Sequence, residues 1–300
     1  MMSTSWRPSD EFSALALVPA ALQIAALAAI AARGRGLSWA RWLFAANIPC
    51  CIAWSYFGPL SKTLMCGDDG AACVAFTGLT QFSTFTRWSF LLQGVYFVLA
   101  SLGLPRRGCD VLFGVSLSSA VLVTFITYTV LVPGALLMPQ PAHRAGHIRV
   151  LLAPQAHIMH AVNLLQLLCE LWLRRTSAAA GPRLMPDADF RYLVVWAALY
   201  AAFEQWWHYT TGTWHYPFMD IYKPYAWANY SALVAANFAS WRAGAALCAR
   251  LVKRRDKAPA KLAFDGAGSY WSAATPGKRR AASPARSQAR ASPAGKPKKS

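Results

Sequence analysis

Six side chains suited to acid–base or nucleophilic chemistry lie inside long apolar stretches of this 300-residue chain. They are Thr86, Arg87, His157, His160, Glu204 and His208. Ionisable groups are costly at membrane depth and usually face a cavity or a partner there. A threonine hydroxyl becomes a nucleophile when a positioned base, such as an imidazole, removes its proton. The set therefore contains a potential nucleophile and potential bases.

Helix geometry predicts that these side chains share one depth. At a rise of about 1.5 Å per residue, Thr86 lies roughly 10 to 12 Å below the start of its apolar segment, and His157 and His160 roughly 10 to 15 Å below the start of theirs. Glu204 lies about 10 Å, and His208 about 5 Å, before the end of a segment that finishes on the same side. We therefore expect one polar cavity in the outer half of a helical bundle.

Each residue also has a structural interpretation. Thr86 could bond its own helix carbonyl, His160 could be a hydrogen-bonded structural histidine, and Glu204 could neutralise Arg87. His157 and His160 share a helix face, but the H-E-x-x-H spacing is absent and no cysteine or carboxylate adjoins them. We expect no metal and no other cofactor.

The composition argues against a water-soluble globule, because 56% of the residues are apolar and 14% are charged, against roughly 25% charged in an average soluble domain. Seven apolar segments have the length of about 20 residues that a helix needs to cross a bilayer. They are residues 13–32, 40–58, 79–104, 111–132, 150–173, 192–211 and 226–250. Backbone amides have no water partner in lipid, so each segment should be a helix. The predicted fold is all-α, a multi-pass transmembrane bundle spanning residues 1–252.

The first segment could instead be a cleaved signal peptide, which would leave six helices. Its 20 uncharged residues exceed a typical signal core of roughly 7 to 15, and the acidic residues Asp10 and Glu11 precede it. We expect a retained helix.

The basic residues of the loops predict the orientation. A cytosolic C-terminus puts nine arginines on the cytosolic side: Arg33, Arg35, Arg41, Arg106, Arg107, Arg174, Arg175, Arg183 and Arg191. Five basic residues lie opposite: Arg7, Lys62, Arg144, Arg149 and Lys223. This asymmetry follows the positive-inside rule. We expect a lumenal or extracellular N-terminus, in an endomembrane such as the endoplasmic reticulum or in the plasma membrane.

Residues 253–300 carry 13 of the 30 basic and two of the 12 acidic side chains. Too few apolar side chains are present there to offset the entropy of ordering, so a disordered tail is predicted. The tail either only reinforces the topology or binds anionic lipids of the cytosolic leaflet. Nucleic acid is not an expected partner.

Cys66 and Cys73 lie in the one long non-cytosolic loop. The sequence leaves open whether they form a disulfide, which would need an oxidising compartment on that side.

Three runs carry a family resemblance: FTRWSFLLQGVYF at 85–97, HIMHAVNLLQLLCELWL at 157–173 and HYTTGTWHYPFMD at 208–220. In this order, each on or beside a predicted helix, they resemble the androgen-induced protein family of membrane threonine hydrolases. The residues around Thr86 are more similar to those of the related rolling-stone-like and plant branch. The third run is the most specific, with the pattern H-x-x-T-G-x-W-x-Y-P-F. The resemblance covers about residues 80–245.

The resemblance implies an integral membrane hydrolase of lipid metabolism that acts on fatty acid esters of hydroxy fatty acids. It places the catalytic threonine on Thr86 and the catalytic histidine on His160, and Glu170 coincides with an acidic position of the family. Supporting candidates are Arg87, Tyr216 or Thr211 for the oxyanion, His157 or Glu204 to orient the base, and His208 and Trp214 in the third run.

Three function classes stay open at this stage. The first is a lipid-ester hydrolase, with membrane lipids and a lipid ester as partners. The second is a non-catalytic multi-pass protein whose polar side chains fix helix packing. The third, a seven-helix receptor, rests only on the helix count, and the last segment lacks the lysine that would hold a retinal.

Overall fold

The computed structural model describes residues 21–23, 25, 37–57, 63–66, 73–76, 78–104, 106–139, 141–176 and 184–256. Almost all of the first predicted segment lies outside the described residues. The chain divides into two units, Met1–Lys257 and Ala258–Ser300. The second unit lies outside the described residues as well.

The described chain is predominantly helical, as the sequence predicts. Its α-helices are α1 (Leu37–Phe57), α2 (Phe85–Ser101), α3 (Arg106–Ile126), α4 (Val132–Leu136), α5 (Pro141–Leu151), α6 (Pro154–His157), α7 (Asn163–Thr176), α8 (Phe190–Thr211) and α9 (Ala226–Asp256). π-Helical turns at Thr127–Leu131 and Ile158–Val162 join α3 to α4 and α6 to α7. Short 3₁₀ helices cover Gly78–Ser83, Asp187–Asp189 and Pro217–Met219. Strands β1 (Thr63–Cys66) and β2 (Cys73–Phe76) form an antiparallel pair.

Three features differ from the sequence prediction. The β1–β2 pair occupies part of the predicted loop before α2, so the chain is not purely helical. Helix α5 occupies a predicted loop; it begins at Pro141, a residue suited to a first helical turn. Helix α9 continues to Asp256 and includes the first residues of the predicted tail. Basic residues at the end of a helix favour this extension through the helix dipole.

Two helical stretches among the described residues, Arg106–Leu136 and Pro154–Arg174, are long and apolar enough to cross a bilayer. The first runs through α3, the π-turn and α4, and the second through α6, the π-turn and most of α7.

Side-chain contacts between α2 and α7 show the relative direction of these two helices. Gln93 Nε2 donates to Gln166 Oε1 at 2.6 Å, and the Tyr96 hydroxyl donates to Glu170 Oε1 at 2.7 Å. Both sequence numbers increase together, so α2 and α7 run in the same direction. The sequence topology requires this of its third and fifth segments.

Helix α1 runs against α7 and packs closely on α2. Near its start Arg41 binds Glu170, while near its end Cys51 Sγ lies 3.9 Å from the Gln155 carbonyl oxygen. A Cβ at Gly94 of α2 would lie 3.0 Å from Ile48 Cδ1 of α1. The absence of a side chain at Gly94 therefore permits the close approach of the two helices.

A buried ion network joins four helices at one end of the bundle. Glu170 is fully buried and accepts hydrogen bonds from Arg41 Nη2 at 2.6 Å, Arg174 Nε at 2.9 Å and the Tyr96 hydroxyl. Arg174 Nη1 also donates to Asp110 Oδ1 of α3 at 2.7 Å. A carboxylate removed from water requires such donors.

We predict that Glu170→Ala lowers the free energy of unfolding by about 3 to 5 kcal/mol, because two arginines would lose their buried partner. Asp187→Ala is the control. Its ion pair with Arg242 is solvent-exposed, and such pairs contribute about 0 to 1 kcal/mol. Thermal unfolding in detergent measures both variants, and similar losses in the two would contradict the role of the network.

The strand register places Cys66 directly opposite Cys73. Opposed residues of an antiparallel pair have Cα atoms about 4.5 to 5.5 Å apart, which a disulfide can span. We predict that protein purified without reductant resists alkylation at both cysteines until it is reduced. Mass spectrometry of the peptide that contains them measures this. Full alkylation of both before reduction would show that the bond is absent.

Candidate functional site

Ser83, His215 and Glu204 form a chain of hydrogen bonds at the end of the bundle opposite the ion network. Ser83 Oγ contacts His215 Nε2. His215 Nδ1 lies 2.9 Å from Glu204 Oε2, and the His215 backbone N–H donates to Glu204 Oε1 at 2.7 Å. All three residues are buried, and the side chains of His215 and Glu204 are fully so. A hydroxyl, an imidazole and a carboxylate in this order are the components of a serine hydrolase triad.

A glycine in the left-handed backbone conformation reverses the chain and brings His215 back to Glu204. Helix α8 ends at Thr211, and Gly212 has φ 70° and donates its N–H to the His208 carbonyl oxygen at 2.8 Å. Glycine accepts this backbone conformation without steric cost and commonly ends helices. The chain then reverses, so a residue beyond the helix meets a side chain within it.

Tyr200 braces the carboxylate from within α8. Its hydroxyl lies 3.0 Å from Glu204 Oε2 and 3.0 Å from the Ser83 carbonyl oxygen. Tyr200 and Glu204 are four residues apart and share a helix face. The rings of His215 and Trp207 lie with centroids 4.5 Å apart, which encloses the imidazole on one side. The cluster is thus held by both hydrogen bonds and aromatic packing.

Thr86 contacts Tyr216. The Tyr216 hydroxyl interacts with the Thr86 side chain and with the backbone of Phe85 and Thr86 at the start of α2. Among the described residues no hydrogen bond joins Thr86 to His160. Desolvation raises the pKa of Tyr216 to about 12, so its hydroxyl stays protonated at neutral pH.

Arg87 pairs with neutral groups. Its Nη1 donates to Gln81 Oε1 at 2.6 Å, and its Nη2 donates to Ser55 Oγ at 3.0 Å. The carboxylate of Glu204 is bound by His215 and Tyr200 instead. The suggested pairing of Glu204 with Arg87 is therefore replaced by two separate sets of contacts.

The two histidines of the fifth segment have different surroundings. His157 Nδ1 lies 2.6 Å from the Tyr128 hydroxyl, and the two rings are stacked. His160 is nine-tenths buried, and its Nδ1 has no partner with hydrogen-bonding geometry. The backbone of Ala156 lies near the His160 ring without completing a hydrogen bond to Nδ1. Neither His157 nor Glu204 hydrogen-bonds to His160 in the described chain.

The other predicted supporting residues lie around the end of α8. The rings of His208 and Trp214 stack with centroids 4.2 Å apart. Thr211 Oγ1 donates to the Trp207 carbonyl oxygen at 2.8 Å and contacts Thr213 Oγ1 at 3.0 Å. These contacts fix the turn that carries His215.

Two site residues were absent from the sequence candidates. His215 stands within the third run used for the resemblance, and Ser83 precedes α2 by two residues. A glycine just after a helix indicates a chain reversal, and this signal could have drawn attention to His215. No group of three or more metal-ligating side chains is found among the described residues.

No family model, no curated protein and no solved structure matches the chain.

Proposed function

We propose that the chain is a multi-pass membrane protein that hydrolyses a lipid ester, with Ser83 as nucleophile, His215 as general base and Glu204 as the group that orients the base. The observation that carries the proposal is the hydrogen-bonded chain from Ser83 through His215 to Glu204. A triad is recognised by geometry and roles rather than by residue order in the sequence.

Exposed apolar side chains support the membrane part of the proposal. Large apolar residues are exposed on α1, α2, α3, α7, α8 and α9. Helix α8 exposes Val194, Val195, Leu199 and Trp206, and α9 exposes Val234 and Phe238. Apolar surface on so many helices would be unfavourable in water, but it suits the acyl chains of a bilayer.

The tautomer of His215 follows from its neighbours. A carboxylate accepts hydrogen bonds, so the Nδ1 that faces Glu204 carries a hydrogen in the neutral ring. Nε2 then presents a lone pair to the Ser83 hydroxyl. This is the arrangement that a general base needs in order to activate a serine.

The reaction proceeds in two halves. Ser83 Oγ attacks the ester carbonyl carbon while its proton passes to His215 Nε2. When the tetrahedral intermediate breaks down, the alcohol leaves with that proton, and an acyl ester remains on Ser83. Water then attacks this acyl ester with His215 again as base, which releases the carboxylic acid and restores the Ser83 hydroxyl.

The start of α2 is suited to hold the oxyanion. The N–H groups of Phe85 and Thr86 belong to its first turn, two and three residues after Ser83, and the helix dipole favours negative charge there. The hydroxyls of Tyr216 and Thr86 are neighbouring donors. In this proposal Thr86 stabilises the oxyanion, whereas the family resemblance made it the nucleophile.

The apolar surroundings favour an ester with long acyl chains. A substrate that shares the bilayer with the bundle presents its carbonyl at the polar end of the helices, which supplies orientation before the chemical step. The family resemblance indicates fatty acid esters of hydroxy fatty acids as the substrate class. Because Ser83 and His215 are buried, entry of the substrate requires a local movement of the chain that covers them.

Labelling with an alkyl fluorophosphonate tests the nucleophile. We predict that the probe labels Ser83 in membranes and that Ser83→Ala abolishes both labelling and ester hydrolysis. Thr86→Ala should still be labelled, though more slowly. Ser101→Ala is the matched control, because this serine only bonds the Phe97 carbonyl oxygen within α2.

Peptide mapping of the adduct decides between the assignments. An adduct on Thr86, or full labelling of Ser83→Ala, would contradict the triad. If every variant folds, resists the probe and shows no ester turnover, the polar cluster serves helix packing and the non-catalytic alternative holds. Thermal unfolding confirms that each variant is folded.

The oxyanion donors give a separate prediction. Thr86→Val and Tyr216→Phe should each lower kcat by about 10² to 10³, the usual effect of removing one oxyanion donor. Thr86→Ser keeps the hydroxyl and should retain most of the rate. Tyr192→Phe is the control, since its exposed hydroxyl accepts a hydrogen bond from Arg191 Nη2 near the opposite end of α8. Rates of the two test variants within about threefold of the parent would exclude this role.

A further inference from the structure

A second group of buried polar side chains lies between α1, α2 and the π-turn before α7. Asn47, Ser89, His160 and Gln166 are each at least nine-tenths buried. Both polar atoms of the Asn47 amide, Ser89 Oγ, His160 Nδ1 and Gln166 Nε2 have no hydrogen-bond partner in the described chain. Buried polar groups in native proteins are normally satisfied by protein, water or ligand. These atoms therefore indicate ordered water or a bound ligand at this place.

Asn47 is placed by its neighbour one turn along α1. Cys51 Sγ contacts the carbonyl oxygen of Gln155, and residues four apart share a helix face. Asn47 thus faces the α6–α7 segment, one turn further along the bundle than Cys51. Because α1 runs against that segment, the opposing position lies within the π-turn.

Ser89 and His160 are placed in the same way. Ser89 lies one helical turn before Gln93. Gln93 Nε2 donates to Gln166 Oε1 and to the Asn163 carbonyl oxygen. His160 precedes Asn163 by three residues and lies in the π-turn Ile158–Val162. Ser89 and His160 therefore lie at the same height along the bundle, each on the side of its helix that faces the other helix. π-Turns occur frequently at functional sites.

The chemistry of the four side chains selects an uncharged ligand. Asn47, Ser89 and Gln166 offer donors and acceptors without charge. The nearby cation Arg87 is bound to Gln81 and Ser55, and the carboxylate of Glu170 is held by its own network. A charged ligand would lack a countercharge here, whereas a hydroxyl group matches both donors and acceptors.

We propose that Asn47, Ser89, His160 and Gln166 form a buried binding site for an uncharged, hydroxyl-bearing ligand. The hydroxyl groups come from a neutral lipid or from ordered water. The site is distinct from Ser83, His215 and Glu204, whose polar atoms have partners, and it does not rest on the proposed hydrolase function.

Thermal unfolding of the full chain in detergent tests the site. Replacing an unsatisfied buried amide by an apolar side chain of similar size removes its desolvation cost and stabilises a protein. Replacing an amide that binds a ligand has the opposite effect. Asn47→Leu and Ser89→Ala should therefore each lower the Tm by roughly 2 °C or more. Ser240→Ala is the control, since this buried serine donates to the Asn237 carbonyl oxygen of its own helix, and its Tm should change little.

Adding monoolein distinguishes the two sources of the hydroxyl groups. A rise in the Tm of the parent chain that is lost in both variants identifies a neutral lipid. A Tm that monoolein leaves unchanged, together with destabilised variants, identifies ordered water. An unchanged or higher Tm in both Asn47→Leu and Ser89→Ala overturns the proposal. Since Ser89→Ala removes a single oxygen, it keeps the test decisive if Asn47→Leu does not fold.

Discussion

The burial of two glutamate carboxylates is the constraint around which the bundle is organised. Glu170 and Glu204 are both fully buried, and a carboxylate is tolerated away from water only where donors surround it. Glu170 gathers Arg41 and Arg174 at one end. Glu204 binds the backbone and the ring of His215 at the other. Each carboxylate thereby fixes one end of the bundle, and the segments between them pack largely apolar side chains.

The helical class was predictable because it depends only on the length and apolarity of the segments. The predicted segments 40–58, 192–211 and 226–250 lie close to α1, α8 and α9. The β1–β2 pair, α5 and the π-turns were not predicted, because a count of apolar residues does not detect them. The loop arginines Arg41 and Arg174 do lie together in one end network. They therefore share one end of the bundle, and the side of a membrane that this end faces stays a prediction.

The sequence predicts the end of the helices at which the site residues lie. It does not predict which side chains form pairs. Position along a helix places Glu204 and Thr86 toward the same end, yet it does not determine which way either side chain points or where a loop returns. His215 meets Glu204 only because Gly212 reverses the chain. Ser83 lies in a 3₁₀ helix, where the spacing rules of an α-helix do not apply. Pairings between a loop and a helix depend on such local geometry, which residue spacing alone does not encode.

The hydrogen bonds of Ser83 suit the proton transfer that the proposed hydrolysis requires. The hydroxyl contacts both His215 Nε2 and the Thr80 carbonyl oxygen. When the imidazole is neutral, the hydroxyl hydrogen can point to Nε2. When the imidazole is protonated, Nε2 donates to Ser83 Oγ and the hydroxyl hydrogen turns to Thr80. Both protonation states thus keep their hydrogen bonds without displacement of heavy atoms. In the proposed hydrolysis, such preorganisation would lower the reorganisation cost of proton transfer. His160 differs, because its Nδ1 has no hydrogen-bond partner among the described residues.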